Sequence, residues 1–376
     1  MSEYQYYEFQ AIDRPLTAPE QAEISKLSSR VRLTPHRAIF LYNYSDFPGD
    51  PEAVLRQYFD AMLYLANWGT WQLIFRFSKA LIDAADFQPY CLPNAITLKD
   101  CDEYWVLDIE INEEEGIEDW VDGEGWLPRL LPLRDDLLAG DLRLLYLAWL
   151  RAVPNFAGYE LEEDPLEPPL PPNLAKLSPA LKAFVEWVEL DEDLVAAAGE
   201  ASAKRRAKAA PPLEDYLPQL SEAERQEFLL KLVRQEANVD LQLIRRLQEL
   251  AGVTRSHPTT QGQRRLSELT AQAAVFQEKR KQREKQRRKA EKEAAKKKRL
   301  QYLQSLAGKE EEIWTRVMAL IEKKQARPYD EATALLQDLH DSAKHQGQLP
   351  EFLQRFEQLK AQCSSATLMK RLRTVR

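Results

Sequence analysis

The chain has 376 residues, 44% of them hydrophobic and 30% charged, with eight Trp and a mean hydropathy of −0.52. That is enough apolar side chain for two or three domain cores. The net charge of −8 hides an asymmetry: residues 1–200 carry 15 Lys/Arg and 37 Asp/Glu, net −22, whereas residues 201–376 carry 37 and 23, net +14. The longest dense apolar run, Leu144 to Leu150, spans seven residues, far below the roughly 20 of a membrane span, and three scattered cysteines (Cys91, Cys101, Cys363) exclude a disulfide framework or a zinc ribbon.

In chain order, YQYYEFQAI alternates as a strand with aromatic side chains suited to a pleated surface. Met1-Ser2-Glu3-Tyr4 ahead of it has neither the basic nor the apolar segment of a secretory signal, so a cytoplasmic protein is expected. Thr17-Ala-Pro-Glu20 is a capping box with Pro in the first turn, predicting a helix over 18–29. RAIFLYNY (37–44) reads as a second strand. Asp50-Pro51 then caps a predicted helix whose apolar residues Val54, Leu55, Tyr58, Phe59, Met62, Leu63 and Leu65 recur at helical spacing. The turn Asn67-Trp68-Gly69-Thr70 leads into a third strand, Trp71 to Phe77, and is expected to pack its Trp residues into the core. Strands at 95–99 and 104–111 form a hairpin around Lys99-Asp-Cys-Asp102.

From residue 127 the pattern becomes helical. Two short helices break at Gly140, with Asp141 the expected N-cap of the second. Five Pro between 165 and 172 predict an extended, stiff connector. Helices follow from Ser178-Pro179 and from about 191, then a linker at 204–212. A second capping box, Ser221 to Glu224, opens a helix that Asn238 separates from DLQLIRRLQEL, giving a helical hairpin. Residues 263–307 read as one long helix. Its segment 277–299 holds 13 Lys/Arg and four Glu with no apolar residue larger than Ala. It therefore has no seam for a coiled coil, but good helix formers and the pairs Glu284–Arg288 and Glu293–Lys297 support a basic rod roughly 35 Å long. Three amphipathic helices with breaks at Arg327-Pro328 and Gly347 follow, and a basic segment, MKRLRTVR, closes the chain.

The expected class is α+β: an N-terminal mixed α/β domain, then an all-helical C-terminal half with a long basic helix. The expected divisions are an acidic domain over 1–125, a helical extension with the Pro-rich connector over 126–200, a helical hairpin over 201–260, the long basic helix over 261–307 and a three-helix module over 308–376.

The stretches MSEYQYYEFQAIDRPLT, YFDAMLYLANWGT, EGWLPRLLPLRDDLLAGDLRLLYLAWL and LSPALKAFVEWVELDEDLV resemble a bacterial family of uncharacterised proteins over residues 1–250. That resemblance implies no chemistry. SLAGKEEEIWTRVMALIEKKQARPYDEATALLQDL is similar to the helical tail of bacterial SWIM-type zinc-finger proteins. The CxC and CxH pairs of that zinc finger are missing here, so the resemblance implies a helical module without its zinc.

Two groups of residues are candidates for chemistry. Acidic residues cluster at Asp108, Glu110, Glu113, Glu114, Glu115, Asp119, Asp122 and Glu124. Asp108 and Glu110 lie two apart on a predicted strand and share a face, as divalent-metal carboxylates of nucleases do. The Lys expected two residues beyond the Glu is replaced by Asn112, and EF-hand spacing is absent; the alternative is a solvated acidic loop. The histidines, His36, His257, His340 and His345, do not pair at zinc spacing, and no P-loop, GxGxxG or GxSxG occurs.

The second candidate is a polyanion-binding surface of Lys279, Arg280, Lys281, Arg283, Lys285, Arg287, Arg288, Lys289, Lys292, Lys296, Lys297, Lys298 and Arg299. Lys/Arg at this density neutralises phosphates, and the lack of an aromatic in the segment argues against stacking on single-stranded bases. A solvated spacer and docking against an acidic surface are the alternatives. No cofactor is expected. The leading functional expectation is a cytoplasmic interaction protein with a protein partner. Nucleic-acid association through the basic helix is next, and a metal-dependent enzyme built on the acidic cluster is third. No membrane partner is expected.

Overall fold

A computed structural model describes residues 3–113, 122–156, 162–204, 212–234, 236, 238–252, 262–363 and 365–375. It divides into two units, Met1–Glu278 and Lys279–Arg376, and the class is α+β as expected.

The first unit is built on seven strands: β1 (Gln5–Gln10), β2 (Arg32–Leu33), β3 (Arg37–Tyr42), β4 (Ala61–Ala66), β5 (Thr70–Ser78), β6 (Ile96–Cys101) and β7 (Tyr104–Asn112). They form one sheet in the order β2-β3-β1-β4-β5-β7-β6, with every pairing antiparallel. Both faces are covered. Tyr6, Leu63, Leu65, Leu73, Phe75, Leu107 and Ile109 belong to one core, and Tyr7, Phe9, Phe40, Met62, Ile74 and Val106 to the other.

The second of these faces is closed by α1 (Ala18–Leu27) and α2 (Pro51–Tyr58), through Ile24 and Leu55. Both helices start as their caps dictate. The Thr17–Glu20 box is complete, with the Glu20 carboxylate accepting from the Thr17 N–H at 2.7 Å, and Asp50 accepts from the Glu52 N–H at 2.9 Å. The first face is covered by α4 (Trp126–Leu130), α5 (Pro132–Leu138), α6 (Arg143–Ala152), α7 (Pro179–Trp187) and α8 (Glu192–Ala201); α3 (Ala84–Phe87) adds Phe87 to the same core. The run Leu144–Leu150 is buried throughout, which accounts for its uninterrupted apolar character.

Several expectations are corrected. The helix expected to run from Asp50 through Leu65 ends at Tyr58, and residues 61–66 form β4. This strand lies between β1 and β5 with both faces buried, so apolar residues occupy both parities of its pleat and imitate helical spacing. The Asn67-Trp68-Gly69 turn is thus a β4–β5 hairpin with Gly69 at φ +99°; Trp71 is buried, but Trp68 is 45% exposed. The N-cap position of α6 is Leu142, while Asp141 accepts from the Arg143 N–H at 3.1 Å.

The Pro-rich connector is packed along the first unit. Glu167 and Leu170 are buried, and the Tyr90 hydroxyl donates to the Pro169 carbonyl at 2.7 Å.

The helical hairpin is α9 (Glu222–Val233) and α10 (Val239–Leu250), with the Ser221–Glu224 box formed and Asn238 left-handed at φ 59°. The long helix, α11 (Leu266–Ser305), has 40 residues and begins in the first unit. The second unit continues with α12 (Glu310–Glu322), α13 (Ala326–Gln346), α14 (Leu349–Gln362) and α15 (Ala366–Leu372). Gly347 ends α13 at φ 75°, as expected, whereas Arg327-Pro328 sits inside the first turn of α13, where Pro is tolerated. The closing basic segment is helical as far as Leu372: Leu368 and Leu372 of α15 enter a core with Trp314, Leu336, Phe352 and Phe356.

Candidate functional site

Asp108 and Glu110 share the α1/α2 face of the sheet, as their spacing requires. The register places Gln72 opposite Glu110 and Thr97 opposite Asp108. Gln72 Nε2 donates to Asp108 Oδ1 at 2.9 Å and to Glu110 Oε2 at 3.4 Å, and Asn112 Nδ2 donates to Glu110 Oε1 at 2.8 Å. Lys99 Nζ, from β6, lies 3.3 Å from Asp108 Oδ2 and 2.5 Å from Glu52 Oε2 at the start of α2.

Burial raises the Asp108 pKa, against the opposing pull of Gln72 and Lys99. Burial also works against the Lys99 charge, but its bonds to Glu52 and Asp108 outweigh this and raise its pKa. The lysine that the nuclease pattern requires after the Glu thus arrives from the neighbouring strand, where it is committed to ion pairs. Among the described residues no group of three or more His, Cys, Asp or Glu is arranged to hold a metal. Glu114, Glu115 and Asp119 lie outside the described residues; Asp122 and Glu124 meet Tyr4 and Arg32 instead.

Sequence reading missed Gln72, Lys99 and Glu52. Only Gln72 left a trace, as the off-phase polar position in the alternation of WQLIFRF.

The basic segment is wholly α-helical and its side chains over 277–299 are exposed. Its cations are not equivalent. Arg288 pairs with Glu284 at 2.6 Å and Arg287 with Glu291 at 3.5 Å, whereas the expected Glu293–Lys297 pair does not form. Arg299 is paired within the second unit, at 2.6 Å from Asp338 and 2.7 Å from Asp341 of α13. Arg283, Lys285, Lys289, Lys292, Lys296, Lys297 and Lys298 make no ion pair with a described carboxylate, and Lys279, Arg280 and Lys281 stand at the unit boundary.

The root of this helix is held by a cluster the sequence did not announce. Glu167, 5% exposed, accepts from Arg264 Nε at 2.9 Å and Nη2 at 2.8 Å, from the Arg264 N–H at 3.2 Å and from the Tyr146 hydroxyl at 2.6 Å. Asp164 accepts from the Ser267 N–H at 2.8 Å and from its hydroxyl at 2.7 Å. Gly262 is required here because a Cβ would meet the Glu167 carbonyl oxygen at 1.9 Å.

Two further surfaces have candidate character. α9 buries none of its residues and leaves Leu229, Leu230, Leu232 and Val233 between 52% and 79% exposed. In the second unit a cavity of about 680 Å³ is lined by Ile321, Tyr329, Leu359, Leu368 and Cys363. Burial pushes the Cys363 thiol pKa up, which keeps it protonated and weakly nucleophilic. Among the described residues no helix is long and apolar enough to cross a membrane.

No protein-family model, curated protein or solved structure matches this chain, so no residue role is carried over from another protein.

Proposed function

We propose that this is an interaction protein, with no catalytic role, in which the basic segment of α11 contacts a polyanion and the folded units supply surfaces for a protein partner. The observation that carries the reading is the state of the cations in 283–298: seven of them are exposed on a helix without an ion pair to a described carboxylate. A run of such lysines releases condensed counterions from a polyanion on binding, which is the main sequence-independent source of affinity for nucleic acids. The competing metallo-enzyme reading is disfavoured because Gln72, Asn112 and Lys99 already occupy the carboxylate oxygens of Asp108 and Glu110. The α9 apolar face supports a protein partner, since contiguous exposed leucines are uncommon on an uncomplexed surface.

The test is fluorescence anisotropy with labelled heparin and labelled nucleic acids at about 50 mM salt, where phosphate contacts are strongest. Lys296→Gln, Lys297→Gln and Lys298→Gln together should weaken binding by a similar factor for every sequence. Arg299 stays unaltered, because removing it breaks its pairs with Asp338 and Asp341. Absence of wild-type binding to all of these polyanions removes the reading.

A further inference from the structure

Of the seven cations of α11 without an ion pair to a described carboxylate, four share one face, and Arg283, Lys297 and Lys298 lie off it. At 100° per residue, Lys285, Lys289, Lys292 and Lys296 fall within an arc of about 60° and follow one another at i, i+4, i+7 and i+11. Their axial span is about 16 Å. All four are exposed, and none makes an ion pair with a described carboxylate. A separate face, centred about 120° away, holds Glu284, Arg287, Arg288 and Glu291, and there the charges neutralise one another through the two ion pairs. Glu293 borders the lysine stripe and pairs with neither Lys289 nor Lys297.

We infer that this stripe is a one-sided phosphate contact for a nucleic-acid duplex lying along the helix. The inference rests on the polyanion reading above and specifies its ligand. Three features select a duplex. The stripe lies along one continuous α-helix, so a stiff polyanion keeps all four contacts in line, whereas a flexible one gives up conformational freedom to do so. A duplex is stiff over about 50 nm and carries a charge every 1.7 Å or so along its axis. The segment has no aromatic side chain on which unstacked bases would rest, which disfavours a single strand. It also has no apolar side chain larger than Ala to enter a lipid interface. Lysine suits the task because a flexible point charge follows the phosphate backbone without the geometric demands of a guanidinium fork.

The decisive variant removes the stripe alone: Lys285→Gln, Lys289→Gln, Lys292→Gln and Lys296→Gln together. Glu284, Arg287, Arg288 and Glu291 keep their two ion pairs, so no second cationic face is created. Wild type should bind a 30-base-pair duplex with a salt slope larger than that of the four-Gln variant by about 3.6, four contacts at about 0.9 each. That is about a 150-fold difference in affinity lost between 50 and 200 mM salt. Circular dichroism at 222 nm checks that α11 persists. Should the four-Gln chain lose helix, Lys289→Gln with Lys296→Gln replaces it, and about 1.8 is then expected.

Duplex binding and salt slope of the four-Gln variant equal to wild type overturn the stripe and leave the polyanion reading intact. Wild-type binding to heparin or to phosphatidylserine vesicles, with none to duplex, overturns the duplex assignment. Equal affinity for a single strand of the same phosphate number overturns the stiffness argument. Failure of wild type to bind any polyanion removes the function proposed above together with this inference.

Discussion

Replacing Glu167 by Ala should release the root of α11. The carboxylate is 5% exposed and accepts two bonds from the Arg264 guanidinium, one from the Arg264 N–H and one from the Tyr146 hydroxyl. Its removal leaves a guanidinium only 13% exposed without its counter-charge and the hydroxyl of a fully buried tyrosine without its acceptor. Breaking one side of a buried pair costs about 3–5 kcal/mol, so a loss of about 4 kcal/mol is expected. Glu167→Ala with Arg264→Met removes the orphaned charge and should cost about 2 kcal/mol less than Glu167→Ala alone.

Tryptophan fluorescence during urea unfolding suits the measurement, because seven of the eight Trp lie in Met1–Glu278. Hydrogen exchange separates local release from global loss: amides of 266–273 should exchange faster by about 150-fold if about 3 kcal/mol of the loss is local. The pH dependence has a definite sign. Burial alone would raise the Glu167 pKa, but bonds from Arg264 and Tyr146 outweigh it and hold the carboxyl below its ordinary 4.5. The contribution is therefore complete above about pH 4.5 and is lost as pH falls through the lower folded value. An unchanged urea midpoint together with unchanged exchange in 266–273 refutes the reasoning, as does a double variant whose cost equals the sum of the singles.

Asp108→Asn should stabilise the first unit at neutral pH, since burial raises the Asp108 pKa and the folded chain disfavours its charge. The gain should shrink as pH falls toward 3.8, and a destabilised variant at pH 7 by thermal melting contradicts this. Gly123→Ala should cost about 1–3 kcal/mol, because its Cβ would meet the fully buried Tyr6 ring at 2.2 Å; an unaltered urea midpoint is the contrary result. Leu229→Gln with Val233→Gln should change stability by no more than about 0.5 kcal/mol, as both side chains are more than 60% exposed. A loss above about 2 kcal/mol would show that the α9 face belongs to the fold, and not to a partner surface.

What the sequence determined by itself is what acts over four residues or fewer. Both capping boxes, the Asp50 cap, the Gly347 stop and the continuous basic helix were legible because their donors, acceptors and propensities lie within one turn. The lysine stripe was legible in principle too, since helical angle alone sorts Lys285, Lys289, Lys292 and Lys296 from the paired arginines.

Tertiary structure decided the rest. Residues 61–66 become a strand because β1 and β5 supply hydrogen bonds on both edges and cores on both faces, none of which is encoded within the segment. Asp108 and Glu110 share a face as their spacing requires, but their saturation depends on Gln72 and Lys99, which only the sheet register brings within reach. The five prolines stiffen residues 165–172 wherever they lie. That Glu167 among them is charged and buried follows from Arg264, 97 residues away, whose guanidinium offsets the desolvation that an isolated carboxylate could not bear.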